Sequence, residues 1–157
     1  MIMLTLPEGD VRSLMNLLLV QTAFDDFELR GCTIQSFARF DIEGIISPAD
    51  EVNEGEAPRR AVYCKWQRLR PYIYHIIKGS EKPRFLKLVF AYPPEGLSAG
   101  FQDAQALFVN ITLDKDLVHI TTGASMKTWS LDKAVETQWD DYIVDFLIKH
   151  KLNINKE

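Results

Sequence analysis

The densest run of chemically capable side chains lies between Arg59 and Lys87. There Arg59, Arg60, Lys65, Arg68, Arg70, Lys78, Lys82, Arg84 and Lys87 stand against a single acid, Glu81. The segment carries +8 in a chain of net charge −4, which leaves −12 on the remainder. Aromatic residues are interleaved with the cations: Tyr63, Trp66, Tyr72, Tyr74 and Phe85. Clustered guanidinium and ammonium groups neutralise phosphates or carboxylates, and aromatic rings stack on bases. Helical spacing places Arg68, Tyr72 and His75 on one face, opposite an apolar stripe of Trp66, Leu69, Ile73, Ile76 and Ile77. The candidate binding residues are Arg59, Arg60, Trp66, Arg68, Arg70, Tyr72, His75, Lys78, Lys82 and Arg84. Within that set Trp66 also belongs to the stripe expected to be buried, while Arg68 and His75 are expected at the surface.

Two partners fit such a segment. An acidic protein surface, or a second copy of the chain, would meet it through charge complementarity. Nucleic acid would meet it through phosphate contacts. The protein partner is favoured, because the chain's pI is near 5.4 and a dedicated nucleic-acid domain usually exceeds about 9. A structural account competes with both: Asp50, Glu51, Glu54 and Glu56 directly precede the cations and could neutralise them.

Other chemistries find less support. His75, His119 and His150 are far apart, with no HxH or HxxxH spacing. Asp41-x-Glu43 puts two carboxylates on one strand face, which a metal could use, but a solvated face explains them more simply. Asp132, Glu136, Asp140 and Asp141 give the last helix an acidic face that suits its dipole. Cys32 and Cys64 show no CxxC spacing, lie beside no His, and read as reduced, buried residues. GxSxG, GxxxxGK[ST] and GxGxxG are absent. Thr121-Thr122-Gly123-Ala124-Ser125 reads as a turn between strands, and Lys78-Gly79-Ser80-Glu81-Lys82 follows a helix C-terminus, the wrong end for an anion. No catalytic set, metal site or cofactor is assigned.

The elements that must position these residues follow from periodicity. Residues 2–6 read as a strand and Asp10 as the N-cap of a helix over 11–21. A hairpin spans 27–46, with Phe27, Leu29 and Gly31 on one side of its first arm and Glu28, Arg30 and Cys32 on the other. In its second arm Ala38, Phe40, Ile42 and Ile46 face a core, and Arg39, Asp41 and Glu43 face water. Residues 47–58 form an acidic loop, and residues 61–64 can add a short strand. A helix lies within 65–78, either starting near Pro71 or running through it with a kink, and Gly79 ends it. Strands follow at about 84–92, 106–113, 117–122 and 125–131, turning at Asp114-Lys115-Asp116 and Gly123-Ala124. A last helix spans about 132–150.

The order is β-α-β-β-α-β-β-β-β-α, an α+β domain with three helices and mainly antiparallel sheet. If 61–64 is a strand, both halves begin β-α-β-β, like the duplicated units of sliding-clamp domains. A single domain over 1–157 suits the length, and 46% hydrophobic with 25% charged residues is an ordinary globular composition. No apolar run approaches the ~18–20 residues of a membrane span. The first residues lack the basic and small-residue features of a signal peptide, so the expected location is the cytoplasm, away from membranes.

Three stretches together carry a resemblance: FDDFELRGCTIQSFARFDIEG, WQRLRPYIYHIIKG with KPRFLKLVF, and TTGASMKTWSLDKAVETQWDDYIVDFL. They resemble an uncharacterised family of small bacterial proteins, a domain of unknown function seen mostly in anaerobic Gram-positive bacteria. The resemblance covers nearly the whole chain. It implies a single-domain bacterial protein and no activity, cofactor or catalytic residue.

Overall fold

Alternation of apolar and polar residues sorts seven strands into one antiparallel sheet. The computed structural model describes residues 1–47, 61–78 and 83–157. In chain order the elements are β1 (Met3–Leu6), α1 (Val11–Leu19), β2 (Glu28–Gln35), β3 (Arg39–Glu43), β4 (Ile45–Ser47), β5 (Val62–Tyr63), α2 (Trp66–Lys78), β6 (Phe85–Tyr92), β7 (Ala104–Asp114), β8 (Leu117–Met126), α3 (Ala134–Lys149) and β9 (Asn155–Lys156). The sheet order is β3-β2-β6-β7-β8-β1-β9, and β4 and β5 form a separate two-stranded ribbon. The expected α+β class and three helices are present.

One parity of every central strand supplies the core. Leu4 and Leu6, Ile34, Leu86, Leu88 and Phe90, Val109, Ile111 and Leu113, and Val118 and Ile120 are all buried on the same sheet face. Buried residues of all three helices join that cluster, among them Leu14 and Leu18, Trp66 and Ile73, and Trp139 and Ile143. The helices therefore cover one face of the sheet. The other face carries Thr5, Thr33, Lys87, Thr112 and His119 in cross-strand register.

The two halves show the expected strand–helix–strand–strand repetition. β2 and β6, the strands that follow α1 and α2, are antiparallel neighbours at Leu29↔Phe90 through Gln35↔Phe85. The short strand at 62–63 exists, but it pairs with β4 rather than with the large sheet.

Several local expectations are corrected by long-range contacts. No turn forms at Gly123-Ala124: β8 runs straight through, pairing Gly123 with Phe108 and Ala124 with Leu107. A Cβ on Gly123 would lie 3.9 Å from the Phe108 Cβ, an ordinary contact, so neither a bend nor a close approach sets this glycine apart from its neighbours in the strand. β8 consequently ends at Met126, and α3 begins at Ala134, whose N–H donates to Asp132 Oδ1 at 2.9 Å. Asp10 does not cap α1 with its side chain: its carboxylate accepts the Asn153 N–H, 2.8 Å away. A bulge between Leu29 and Gly31 shifts the phase of β2, so Leu29 and Cys32 both enter the core. Gly44 separates β3 from β4, and beyond it Ile46 turns out to solvent instead of joining Phe40 and Ile42. Asp140 leaves the acidic face of α3. It is buried and accepts a hydrogen bond from the Thr122 hydroxyl.

Candidate docking surface on the second helix

α2 is held down by one face. Its first N–H groups are occupied by the segment between α1 and β2: Trp66 donates to the Phe27 carbonyl at 2.8 Å and Gln67 to that of Asp25 at 3.3 Å. The Trp66 ring is fully buried against Phe90, 5.2 Å between centroids, and its indole N–H donates to the Leu18 carbonyl at 2.8 Å. Arg70 lies on the same side. Its Nε and Nη2 donate to the two oxygens of Asp25 at 3.0 and 3.2 Å, and Nη1 reaches the Val20 carbonyl at 3.4 Å. Two of the candidate binding residues are thus withdrawn from the surface. Trp66 has no area to offer a partner, and the donors of Arg70 are committed to a nearly buried carboxylate.

The helix continues through Pro71, as one of the two sequence readings had it. Pro71 is exposed, and having no N–H it supplies no donor to the carbonyl four residues back. Of the inward stripe, Ile73 is fully buried, whereas Ile76 and Ile77 are only half-buried at the helix's last turn.

The opposite face is exposed, and every charge on it is positive. Arg68, Tyr72, His75 and Lys78 follow one another along it, with Lys65 just before the first turn. Tyr72 is 68% exposed at the centre. Lys78 Nζ lies 5.7 Å from the Tyr74 ring centroid. Among the described residues no carboxylate is within ion-pair distance of Lys65, Arg68 or Lys78. α3 has the opposite character, with Asp141 and Asp145 exposed.

Of the described cations of this run, Arg84 and Lys87 do not join this strip. Arg84 is exposed at the start of β6, where its N–H bonds the Gln35 carbonyl at 2.9 Å. Lys87 is on the helix-free face of the sheet, because its neighbours Leu86 and Leu88 point into the core. Arg59, Arg60 and Lys82, and the acids Asp50, Glu51, Glu54 and Glu56, lie outside the described residues, as does Gly79.

A cleft of about 490 Å³ opens at the head of the helix, lined by Ile46, Tyr63, Cys64, Lys65, Gln67 and Arg68. Its walls are fixed by the backbone. Cys64 donates its N–H to the Gly44 carbonyl at 2.6 Å and accepts the Leu29 N–H at 2.9 Å. The Arg30 guanidinium carbon sits 3.7 Å from the Tyr63 ring centroid, holding that ring. Burial keeps the Glu28 carboxyl above its ordinary range, the charge of Glu95 adds to the shift, and Arg30 and Lys65 oppose it. Cys32 and Cys64 are both free thiols. Burial pushes the Cys32 thiol up to about 12, while Cys64 lines the cleft. Sequence reading had not placed Ile46, Cys64 or Gln67 at a site. The available signal was the short 61–64 strand running directly into a cationic helix.

Among the described residues no three His, Cys, Asp or Glu side chains converge as a metal site requires, and no helix is long and apolar enough to cross a membrane. A family model described as a family of unknown function (DUF5721) matches residues 17–155. No curated protein and no solved structure matches the chain.

Proposed function

The chain belongs to the DUF5721 family of unknown function, and on that premise we propose that it is a non-enzymatic binding domain that docks an acidic partner protein on the exposed face of α2. The observation that carries this reading is the run Lys65, Arg68, Tyr72, His75 and Lys78, exposed, with no carboxylate among the described residues within ion-pair distance of Lys65, Arg68 or Lys78. Cations with no ion pair among the described residues leave no such salt bridge to break before binding and steer an acidic surface toward them. The acidic remainder orients that encounter by repelling the same partner elsewhere.

The test is binding of a labelled glutamate-rich peptide by fluorescence anisotropy at two salt concentrations, beside duplex DNA of equal charge. The peptide should bind at ~50 mM salt and weaken as salt screens exposed charges. The double variant Arg68→Glu, Lys78→Glu should bind at least ~10-fold more weakly, about 1.4 kcal/mol, with its unfolding midpoint unchanged. Absence of peptide binding at ~50 mM salt, or binding indifferent to the double variant, refutes the reading. Tighter binding of DNA, with a slope near −0.9 per phosphate, replaces it with nucleic-acid recognition.

A further inference from the structure

The cleft and the cationic strip share Arg68, so they form one continuous surface. Their linings differ. The strip is charged, whereas the cleft offers Ile46 (61% exposed), the Tyr63 ring and the Cys64 thiol, with Lys65 and Arg68 at its rim. Val62, on the same ribbon as Ile46, is also exposed. Isolated exposed aliphatics are ordinary, but here they stand beside a preformed recess.

We infer that the acidic partner is recognised as an extended segment with one large apolar anchor, seated between Ile46 and Tyr63, followed by carboxylates that meet the strip. This rests on the reading above and adds the partner's pattern to it. The cleft holds an anchor in a fixed shape, because Cys64 is locked on both backbone sides and Arg30 backs the Tyr63 ring. A preformed pocket spares the ordering cost of binding, and a central apolar anchor rimmed by charges is the usual layout of a binding hot spot.

Helix geometry sets the spacing. Arg68 and Lys78 are ten residues apart, about 15 Å along the axis. An extended chain covers that in roughly five residues at ~3.3 Å each. The segment therefore carries an acid within a residue or two of the anchor, for Lys65 and Arg68, and another about five residues further on, for Lys78.

Two labelled peptides test this on the full chain, one Phe-anchored and one with Ser in its place, each with the same glutamates. Binding is read by anisotropy, and occupancy of the cleft by the reactivity of Cys64 toward Ellman's reagent, Cys32 being buried. The Phe peptide should bind at least tenfold more tightly than the Ser peptide and slow Cys64 modification. The affinity advantage should vanish in Ile46→Ser and in wild-type protein whose Cys64 carries a bulky maleimide, which needs no refolding, and the protection of Cys64 should vanish in Ile46→Ser. The Ser peptide should bind all three proteins alike. Equal binding of both peptides without Cys64 protection overturns the anchor while leaving the strip intact. Absence of binding by either peptide overturns both. Protection of Cys64 that rises with protein concentration alone identifies a second copy as the occupant and overturns the peptide.

Discussion

Arg70→Ala removes the two hydrogen bonds that the guanidinium donates to Asp25 and the third to the Val20 carbonyl. Hydrogen bonds to a charged partner contribute about 1.5–3 kcal/mol. Breaking a buried ion pair by removing one partner costs about 3–5 kcal/mol, because the other charge is left without compensation. The side chains here retain 19% and 11% exposure, which lets water reach the stranded carboxylate. The expected loss is therefore about 2–4 kcal/mol. Arg68→Ala, two residues away on the exposed face, should stay within about 0.5 kcal/mol. Urea denaturation followed by circular dichroism measures both, with an unchanged m-value indicating the same unfolding reaction. Asp25→Asn and the double variant complete a cycle whose coupling should be about 1–3 kcal/mol. Well below its unfolding midpoint, Arg70→Ala should still bind an acidic peptide like the wild type. A loss under about 0.5 kcal/mol, or a peptide affinity that falls with Arg70 as it does with Arg68, would show that this residue faces a partner rather than the fold.

Ile73→Ala empties a fully buried position beneath the docking face and should cost about 2–5 kcal/mol by the same measurement; a near-neutral result would mean the inward face of α2 is misassigned. Gly44→Ala would place a Cβ 1.8 Å from the Leu29 carbonyl oxygen, so the ribbon must shift, and Cys64 should become more reactive toward thiol reagents; unchanged reactivity counts against Gly44 as the hinge of the cleft. The Cys32 thiol, held at about 12 by burial with the Asp41 carboxylate adding to it, contributes stability that is complete below about pH 9 and lost as pH rises toward 12. The stability difference between wild type and Cys32→Ala should shrink by about 2 kcal/mol from pH 9 to 10.5, at ~1.4 kcal/mol per unit; a constant difference contradicts that burial.

Local periodicity determined a good part of this molecule. Spacing of three and four residues identified α2, its buried Trp66 and Ile73, and the exposed trio Arg68, Tyr72 and His75. Alternation identified β3, whose charged residues all face water. Such features lie within one or two turns or pleats, so the sequence contains all the atoms that decide them. The tertiary structure decided what depends on distant partners. Arg70 is a cation like Arg68 by composition, and only Asp25, 45 residues earlier, makes it structural. Lys87 belongs to the same basic run, but strand parity sends it to the other side of the sheet. Gly123 looks like a turn until β7 runs beside it. The cleft joins Ile46 of β4 to Cys64 and Arg68, far along the chain, through the backbone bonds that Gly44 and Leu29 make with Cys64. A hydrogen bond or a sheet register pairs residues by proximity in space, and chain periodicity encodes only the direction in which a side chain points, not what it will meet.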